Sequence, residues 1–256
     1  MALDHYLASI CTENTQPILR FYGWDPCCLS IGYHQSEKLI DFTALNYAGF
    51  DWVRRPTGGR AVFHADELTY SVIFPKTLFQ PQQLYQFMHE ILRIALNAFG
   101  YQVELKSVKS KIPIIRNKIR DFACFTQSAY SEVQYKDKKV VGSAQKVYRD
   151  AILQHGSILI GQTHKRLVNF LKTKQEIKKK IETELAGKTI SLLEIKNMHV
   201  TPETIVRSII EKLTLHCKIH CYYQEINPSE LNQACLFVTK QMERPIVFQR
   251  QEIEIH

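Results

Sequence analysis

Three polar patches within apolar sequence carry the residue types that could do chemistry. The first is "RRPTGGRAVFH", residues 54–64, in which three arginines and a histidine surround the adjacent glycines Gly58 and Gly59. Adjacent glycines allow positive φ and let another group lie against the backbone, and arginines beside such a gap can hold an anion. Taken alone, the stretch is also typical of a hairpin turn with solvated charges, since Gly-Gly is a common hairpin signal.

The second and third patches offer a thiol and a cation. Cys124 lies between two phenylalanines in "DFACFTQ", and Lys139 opens "KVVGSAQ". A free cysteine is more often a buried, inert thiol, and it becomes a nucleophile only when a nearby cation or helix N-terminus lowers its pKa. A hairpin turning near Asp137 could return Lys139, otherwise a surface lysine, toward the loop of Cys124. The small residues of "GSAQ" could bring backbone N–H groups to a carbonyl oxygen.

The composition describes a globular chain with no export or membrane signal. Its 256 residues, 45% hydrophobic and 23% charged, suffice to bury a sizeable core. No apolar run is long enough to cross a bilayer, and an acid stands near the start, where a signal peptide would carry positive charge. The seven cysteines include no CxxC pair, which indicates reduced thiols and no zinc site. We therefore expect a cytoplasmic protein without a metal centre.

The net charge of +8 predicts an anionic partner. The richest cationic run is "KSVKSKIPIIRNKIR", residues 106–120, which contains no acid. Because no aromatic residues are interleaved to stack bases, the run favours an acidic protein partner over nucleic acid. A solvated surface loop is the other interpretation.

Apolar spacing predicts the elements that position these patches. The predicted strands are "CCLSIGYH", residues 50–55 and 67–74 joined through the glycine pair, a hairpin of "SAYSEVQY" with "KVVGSAQKVY", then "AILQHGSILI" and "CKIHCYY". The predicted helices are "MALDHYLASIC", "SEKLIDFTALNYAG", "PQQLYQFMHEILRIALNAFG", residues 165–184, residues 201–213 and a last helix from Pro228. Strands that follow one another without a helix between each pair indicate an α+β fold, with a largely antiparallel or mixed sheet packed against helices.

Taken in this order, the three patches resemble the biotin/lipoate A/B protein ligase family. The stretches that carry the resemblance are "RRPTGGRAVFHADELTYSV", "ACF" and "KKVVGSAQ…ILQHGSILI", with "LRFYGWDPCCLSIGYHQ" and the opening "MALD" as further matches. The cysteine of "ACF", 15 positions before the lysine of "KVVGSAQ", is similar to the bacterial octanoyltransferase branch of the family. The resemblance implies a fold like that of class II aminoacyl-tRNA synthetases and biotin synthetase.

The resemblance also implies a domain organisation. It covers residues 1–165 well and the remainder weakly, and the sequence changes character near residue 189. We expect a catalytic domain over residues 1–188 and a small C-terminal extension of helix and strand over residues 189–256, packed on the same domain. Family members usually carry a strand before the equivalent of "MALD", the motif with which this chain opens.

The resemblance assigns roles to individual residues. Cys124 would be the acyl-thioester nucleophile, and Lys139 would lower its pKa and orient the carbonyl. The glycine segment would close over the acyl group, with Arg54 and Arg55 at the rim of the pocket and His64 supporting its wall. The implied substrate-binding residues are Arg54, Arg55, Gly58, Gly59, Arg60, His64, Gly142, Ser143 and Ala144.

The implied activity is the first step of lipoate biosynthesis, transfer of an octanoyl group from octanoyl-acyl carrier protein to a lysine of a lipoyl domain. The acceptor would be the H protein of glycine cleavage or an E2 subunit of a 2-oxoacid dehydrogenase, with no cofactor, nucleic acid or membrane. One alternative is a lipoate–protein ligase that forms lipoyl-AMP from ATP and Mg, which does not need Cys124. The others are an amidotransferase acting between lipoyl domains and a non-catalytic binding module.

Overall fold

A computed structural model describes residues 1–106 and 131–242, and every structural statement below concerns these residues. Cys124, and the cationic run beyond its first residue, Lys106, lie outside them. The strands are β1 (Ile18–Tyr22), β2 (Cys28–Ile31), β3 (Asp51–Arg54), β4 (Val62–His64), β5 (Glu67–Pro75), β6 (Glu104–Lys106), β7 (Glu132–Tyr135), β8 (Lys138–Lys139), β9 (Val141–Val147) and β10 (Ala151–Leu159). The α-helices are α1 (Ala2–Ile10), α2 (Phe42–Tyr47), α3 (Pro81–Ala98), α4 (Gln175–Lys188), α5 (Leu192–Lys196), α6 (Pro202–Cys217) and α7 (Pro228–Met242).

In the described part of the chain the strands form three sheets. The first has the order β1–β5–β10–β9 and is antiparallel throughout. The second has the order β3–β2–β4, with β3 parallel and β4 antiparallel to β2. The third has the order β6–β7–β8 and is antiparallel. This arrangement confirms the predicted α+β class with a mixed, largely antiparallel sheet.

Helix α3 covers one face of the first sheet. It begins at Pro81, which suits the first helical position because proline lacks an N–H, and the chain turns away at Gly100, where φ is +72°. The apolar stripe predicted for this helix is buried at its centre, as at Met88 and Leu92, whereas Ala98 at its end is exposed. Helix α6 packs against α3 and contributes Ile205 and Ile209 to the same buried cluster. The main core therefore lies between the first sheet and these two helices.

A second core lies under the second sheet. Its buried aromatic centre is the contact between Phe63 and Phe170, whose rings are 4.9 Å apart. Helix α4 packs against this core through Ile181 and Leu185, while the rest of the helix, which is rich in lysine, is largely exposed. The first and second sheets thus each have a core of their own, and the candidate site lies where they meet.

The glycine pair does not form the predicted hairpin. Strands β3 and β4 lie on opposite sides of β2, so residues 55–61 cross over the end of β2 instead of reversing the chain between paired strands. The predicted partner strand, β5, belongs to the first sheet. Turn-forming residues predict that the chain reverses direction but do not select the strand that it pairs with afterwards.

Three other predicted elements differ from those observed. The helix expected over "SEKLIDFTALNYAG" is interrupted by the extended residue Ile40, with a short 3₁₀ turn before it and α2 after it. The helix predicted over residues 165–184 is likewise divided, into a 3₁₀ segment, Thr163–Phe170, and α4. The strand predicted for "CKIHCYY" is irregular: α6 ends at Cys217, the next residue, Lys218, has φ of +58°, and the residues that follow are largely exposed. Alternating polar and apolar residues are compatible with a strand, but a strand also needs a neighbouring strand to pair with, which the pattern cannot show.

The C-terminal residues contact the rest of the chain in several places. Ser208 on α6 donates to the carbonyl of Ala95 on α3 at 3.1 Å. The ring of Phe237 on α7 lies 5.0 Å from that of His5 on α1. The predicted boundary near residue 189 stays a prediction. Among the described helices, none is both long and apolar enough to span a bilayer.

Candidate active site

A small cavity of about 30 Å³ lies between the first and second sheets. Residues far apart in sequence meet in its walls. The predicted site residues that line it are Arg55, His64, Gly142, Ser143 and Ala144. The lining residues that the sequence interpretation missed include Ser30, Thr69, His155 and Ser157. A usable signal was present, since each of these four is a polar residue within a predicted strand that also contains several apolar residues.

Strand β9 supplies the small-residue wall. Among the described strands it lies at the edge of the first sheet, and its residues Gly142, Ser143 and Ala144 pair with Ser157, Gly156 and His155 of β10. An edge strand has backbone N–H and C=O groups on one side that no neighbouring strand takes up. This is the geometry expected of a backbone that receives a carbonyl group, as proposed from "GSAQ".

The side chain of Ser143 belongs to a buried network behind this wall. Its hydroxyl lies 2.7 Å from the Tyr70 hydroxyl and 2.8 Å from His89 Nε2 of α3. Gln154 Nε2 donates to the same Tyr70 hydroxyl at 2.8 Å. A Cβ at Gly156 would lie 2.5 Å from Ser143 Oγ, so a glycine is needed there for the network to fit. These contacts fix the position of β9 against the main core.

The two adjacent glycines have different roles. Gly59 has φ of +91°, a conformation that L side chains rarely adopt. A Cβ at Gly32 would overlap the Gly59 carbonyl oxygen, so the close approach is between these two residues. A Cβ at Gly58 would meet nothing within 4 Å. The sequence predicts conformational freedom of the backbone at both glycines, and in the structure Gly59 is the one whose conformation requires it.

The two arginines before the glycines donate hydrogen bonds to backbone carbonyl groups. Arg54 donates to three carbonyls of the turn after β2, that of Gln35 at 2.6 Å being the shortest, and to Glu37 at 2.9 Å. Arg55 is buried and donates to the carbonyls of Gly58 at 3.0 Å and Arg60 at 2.6 Å. Arg55 thus stabilises the glycine segment from inside the cavity wall, whereas a position at the rim was expected. Arg60 is half-buried at the end of the segment.

His64 lies in a chain of hydrogen bonds that joins the two sheets. Its Nε2 is 2.7 Å from Ser30 Oγ on β2, and its Nδ1 is 2.7 Å from Glu67 Oε1 on β5. Thr69 and Ser157 each donate to the same Glu67 oxygen at 2.7 Å. Burial alone would raise the pKa of Glu67, but His64 and the two hydroxyl donors lower it below its usual value. Glu67 is therefore an ionised carboxylate at neutral pH.

His155 is a neutral, buried histidine in the cavity wall. Its Nε2 lies 2.6 Å from the Thr57 hydroxyl of the glycine segment. Burial lowers its pKa to about 3, with Asp4 opposing and Arg55 adding to the shift. Because the ring is uncharged at neutral pH, it links the glycine segment to β10 without placing a cation in the cavity.

Lys139 follows the predicted turn and forms a buried ion pair. Lys136 and Asp137 both have positive φ and join β7 to β8, which confirms the hairpin near Asp137, although the chain passes into the first sheet after Val140. Lys139 Nζ lies 2.7 Å from Glu132 Oε1, and both side chains are at least 90% shielded from solvent. The sequence interpretation did not identify this carboxylate. Cys124 lies outside the described residues, so the structure does not describe how Lys139 is placed relative to it.

The described cysteines have the properties of unreactive thiols. None of the six lines the cavity, and desolvation by the surrounding protein raises the pKa of each thiol above its ordinary value, including that of Cys221, which is the exposed one. They are Cys11, Cys27, Cys28, Cys217, Cys221 and Cys235. A raised pKa reduces the thiolate fraction that does nucleophilic chemistry.

The chain belongs to the lipoyl protein ligase A/B catalytic domain family, whose sequence model matches residues 1–214. It is 35% identical over 209 residues to octanoyltransferase LipM of Macrococcus caseolyticus, covering 78% of this chain and 76% of that one. It is 31% identical over 244 residues to octanoyltransferase LipM of Bacillus subtilis, covering 91% and 86%. These relatives confirm the predicted family, and the chain is an acyltransferase of the octanoyltransferase type.

Solved structures confirm the fold. A bi-partite lipoate protein ligase from Thermoplasma acidophilum superposes with a TM-score of 0.74 at 21% identity, covering 93% of this chain and 86% of that one. A lipoate–protein ligase A solved with ATP superposes with a TM-score of 0.72 at 21% identity, covering 93% and 88%. The fold is thus that of lipoate ligases, the class II synthetase-like architecture expected from the sequence.

Proposed function

We propose that this acyltransferase moves an octanoyl group from octanoyl-acyl carrier protein to a lysine of a lipoyl domain through a thioester on Cys124. The observation that carries the proposal is the meeting of Arg55, His64 and residues 142–144 in one cavity. Those segments are the ones that resemble the octanoyltransferase branch.

The remaining cysteines support Cys124 as the nucleophile. The chain has seven cysteines, and the six others have raised thiol pKa values and lie away from the cavity. Lys139 is a nearly buried ammonium at the start of the segment that forms the small-residue wall. A cation within about 4–6 Å of a thiol favours the thiolate, and that is the role proposed for Lys139.

The proposed reaction has two acyl transfers. The Cys124 thiolate attacks the donor thioester, the donor C–S bond breaks, and the carrier thiol leaves with a proton. The amine of the lipoyl lysine then attacks the enzyme thioester, forms an amide, and releases Cys124 as the thiol. An amide is more stable than a thioester, so the second step proceeds without ATP. The acceptor is an H protein or an E2 lipoyl domain, and reduced thiols fit a reaction in the cytoplasm.

Intact-mass measurement tests this directly. The enzyme is incubated with octanoyl-acyl carrier protein in the absence of ATP, and we expect it to gain one octanoyl group. Adding a lipoyl domain should move that group to the domain. Cys124→Ser should prevent the adduct, while Cys221→Ser, the matched control at an exposed cysteine, should form it normally. A requirement for ATP and Mg, or wild-type turnover by Cys124→Ser, would replace this proposal with the ligase alternative.

A further inference from the structure

The cavity contains a hydroxyl group in the arrangement of an activated nucleophile. We infer that Ser30, His64 and Glu67 form a second acyl-accepting site, which hydrolyses acyl thioesters when no lipoyl lysine is available. The inference depends on the proposed function only for the identity of the acyl group. Ser30 and His64 both line the cavity, and the hydrogen bonds run in the order hydroxyl, imidazole, carboxylate with 2.7 Å at each step. That order is the one by which a base activates a serine and a carboxylate orients the base.

Arg55 and Glu67 together favour one direction for the protons in this chain. A guanidinium can only donate hydrogen bonds, and Arg55 Nη1 lies 3.1 Å from Ser30 Oγ. The serine oxygen accepts that bond, so its own hydrogen is free to point at His64 Nε2. His64 then carries its proton on Nδ1 and donates it to Glu67, which only accepts when ionised. The serine proton is therefore already directed to the base that must take it.

The charges around the chain favour the reacting state. The cationic Arg55 next to Ser30 Oγ stabilises the negative charge that develops as the hydroxyl loses its proton. Glu67 stabilises the imidazolium that forms on His64, and its hydrogen bonds from Thr69 and Ser157 keep it in place. Both charges are buried, where their effect on a neighbouring group is larger than in water.

Packing holds the imidazole in one orientation. The indole of Trp24 stacks on the His64 ring with 4.3 Å between ring centroids and a tilt of 16°. Trp24 Nε1 in turn donates to Thr69 Oγ1 at 2.8 Å. A base whose rotamer is fixed by packing and by both of its ring nitrogens is preorganised for proton transfer.

The proposed hydrolysis balances with water as the one co-reactant. Ser30 Oγ forms a bond to the acyl carbonyl carbon, the C–S bond breaks, and the serine proton passes through His64 Nε2 to the leaving thiolate. Water then attacks the serine ester and gives its proton to His64. The C–O bond to Ser30 breaks and His64 returns the proton to Ser30 Oγ. The net change is thioester and water to carboxylic acid and thiol.

The test removes the thiol route and follows thiol release. Protein carrying Cys124→Ala is incubated with the thioester octanoyl-N-acetylcysteamine, without ATP or lipoyl domain, and we expect hydrolysis above the protein-free rate. Adding Ser30→Ala should remove that activity. Adding Ser208→Ala, at a buried serine on α6 that bonds only the Ala95 carbonyl among its described contacts, should leave it intact.

A second measurement does not depend on how well Ser30→Ala folds. A fluorophosphonate probe should label Ser30 in the Cys124→Ala protein, as identified by peptide mass, and His64→Gln should prevent the labelling. Absence of label on Ser30, or hydrolysis that Ser30→Ala does not change, would overturn the second site. Hydrolysis that persists in an enzyme with no Cys124 adduct and no transfer would instead count against the proposed function alone.

Discussion

At the scale of single residues, we expect a large energetic effect from the Lys139–Glu132 ion pair. Removing one member of a buried pair takes away the opposite charge that offsets the desolvation of the other, so Lys139→Ala should lower the free energy of unfolding by about 3–5 kcal/mol. The double variant Lys139→Met with Glu132→Gln should recover most of that stability but not octanoyl transfer. Urea unfolding followed by circular dichroism measures the first effect, and a transfer assay the second.

The matched control for that experiment is an exposed pair. Lys188 Nζ lies 2.7 Å from Glu184 on α4, at a largely solvated position, so Lys188→Ala should change the unfolding free energy by no more than about 0.5 kcal/mol. If Lys139→Ala proved as mild as Lys188→Ala, the buried pair would have no stabilising role. Loss of transfer in a stable Lys139→Met, Glu132→Gln variant is the evidence that the Lys139 ammonium itself acts in the reaction.

Buried histidines predict that the protein loses stability in mild acid. Burial lowers the pKa of His89 to about 4 and that of His155 to about 3, whereas an exposed histidine titrates near 6.5. The pKa of each histidine is lower in the folded state than in the unfolded state. The contribution of each neutral histidine to the free energy of unfolding is therefore fully present above about pH 6.5. It is lost as the pH falls toward 4, by roughly 3 kcal/mol per histidine. Unfolding free energies measured from pH 7 to pH 4 should show this decline. His155→Gln should make it shallower, and His34→Gln, at an exposed position, should not; equal profiles would contradict the assignment.

At the scale of elements, the glycine segment over residues 55–61 offers a comparison between neighbours. Gly59→Ala places a side chain at φ of +91° and should destabilise the protein by about 1 kcal/mol or more. Gly58→Ala meets open space at an ordinary φ, so it should leave stability unchanged or slightly raised. Thermal unfolding of the two variants side by side is the measurement. Equal destabilisation by both would mean that the pair is needed for something other than backbone conformation.

At the scale of the whole molecule, the net charge of +8 should govern encounters with acidic protein partners. The second-order rate of transfer from acyl carrier protein should fall steeply with salt, because the Debye length shrinks from about 10 Å at 0.1 M to about 3 Å at 1 M. Reversing Lys109 and Lys111 to glutamate should flatten that dependence and leave reactivity toward a small octanoyl thioester unchanged.

The control for the charge reversal uses lysines of another surface. Lys179 and Lys180 on α4 are exposed and do not line the cavity, so reversing them changes the net charge equally. If both reversals flatten the salt dependence to the same extent, total charge rather than the cationic run steers the partner. A rate that does not depend on salt would contradict electrostatic steering altogether.

The sequence by itself determined the local features and the family. The spacing of apolar residues located α3 and α6, and proline and glycine marked the ends of α3, because burial on one face of a helix leaves a 3.6-residue period in the sequence. The motif residues Arg55, His64 and 142–144 were identified from their types and order, and the structure brings them together. Local chemistry and local periodicity are properties of neighbouring residues, so they can be read along the chain.

Only the tertiary structure decided which groups touch. The division of β3, β4 and β5 between two sheets, the inward direction of Arg55, and the partners of Lys139 and Ser143 all depend on hydrogen bonds between segments far apart in sequence. Ser30 and Glu67 lie in stretches that carry the family resemblance but were given no role there, and their proposed role follows from their 2.7 Å distances to His64. A strand's pattern reports that one face is buried but not which strand or side chain buries it, because pairing is set by the free energy of the whole fold.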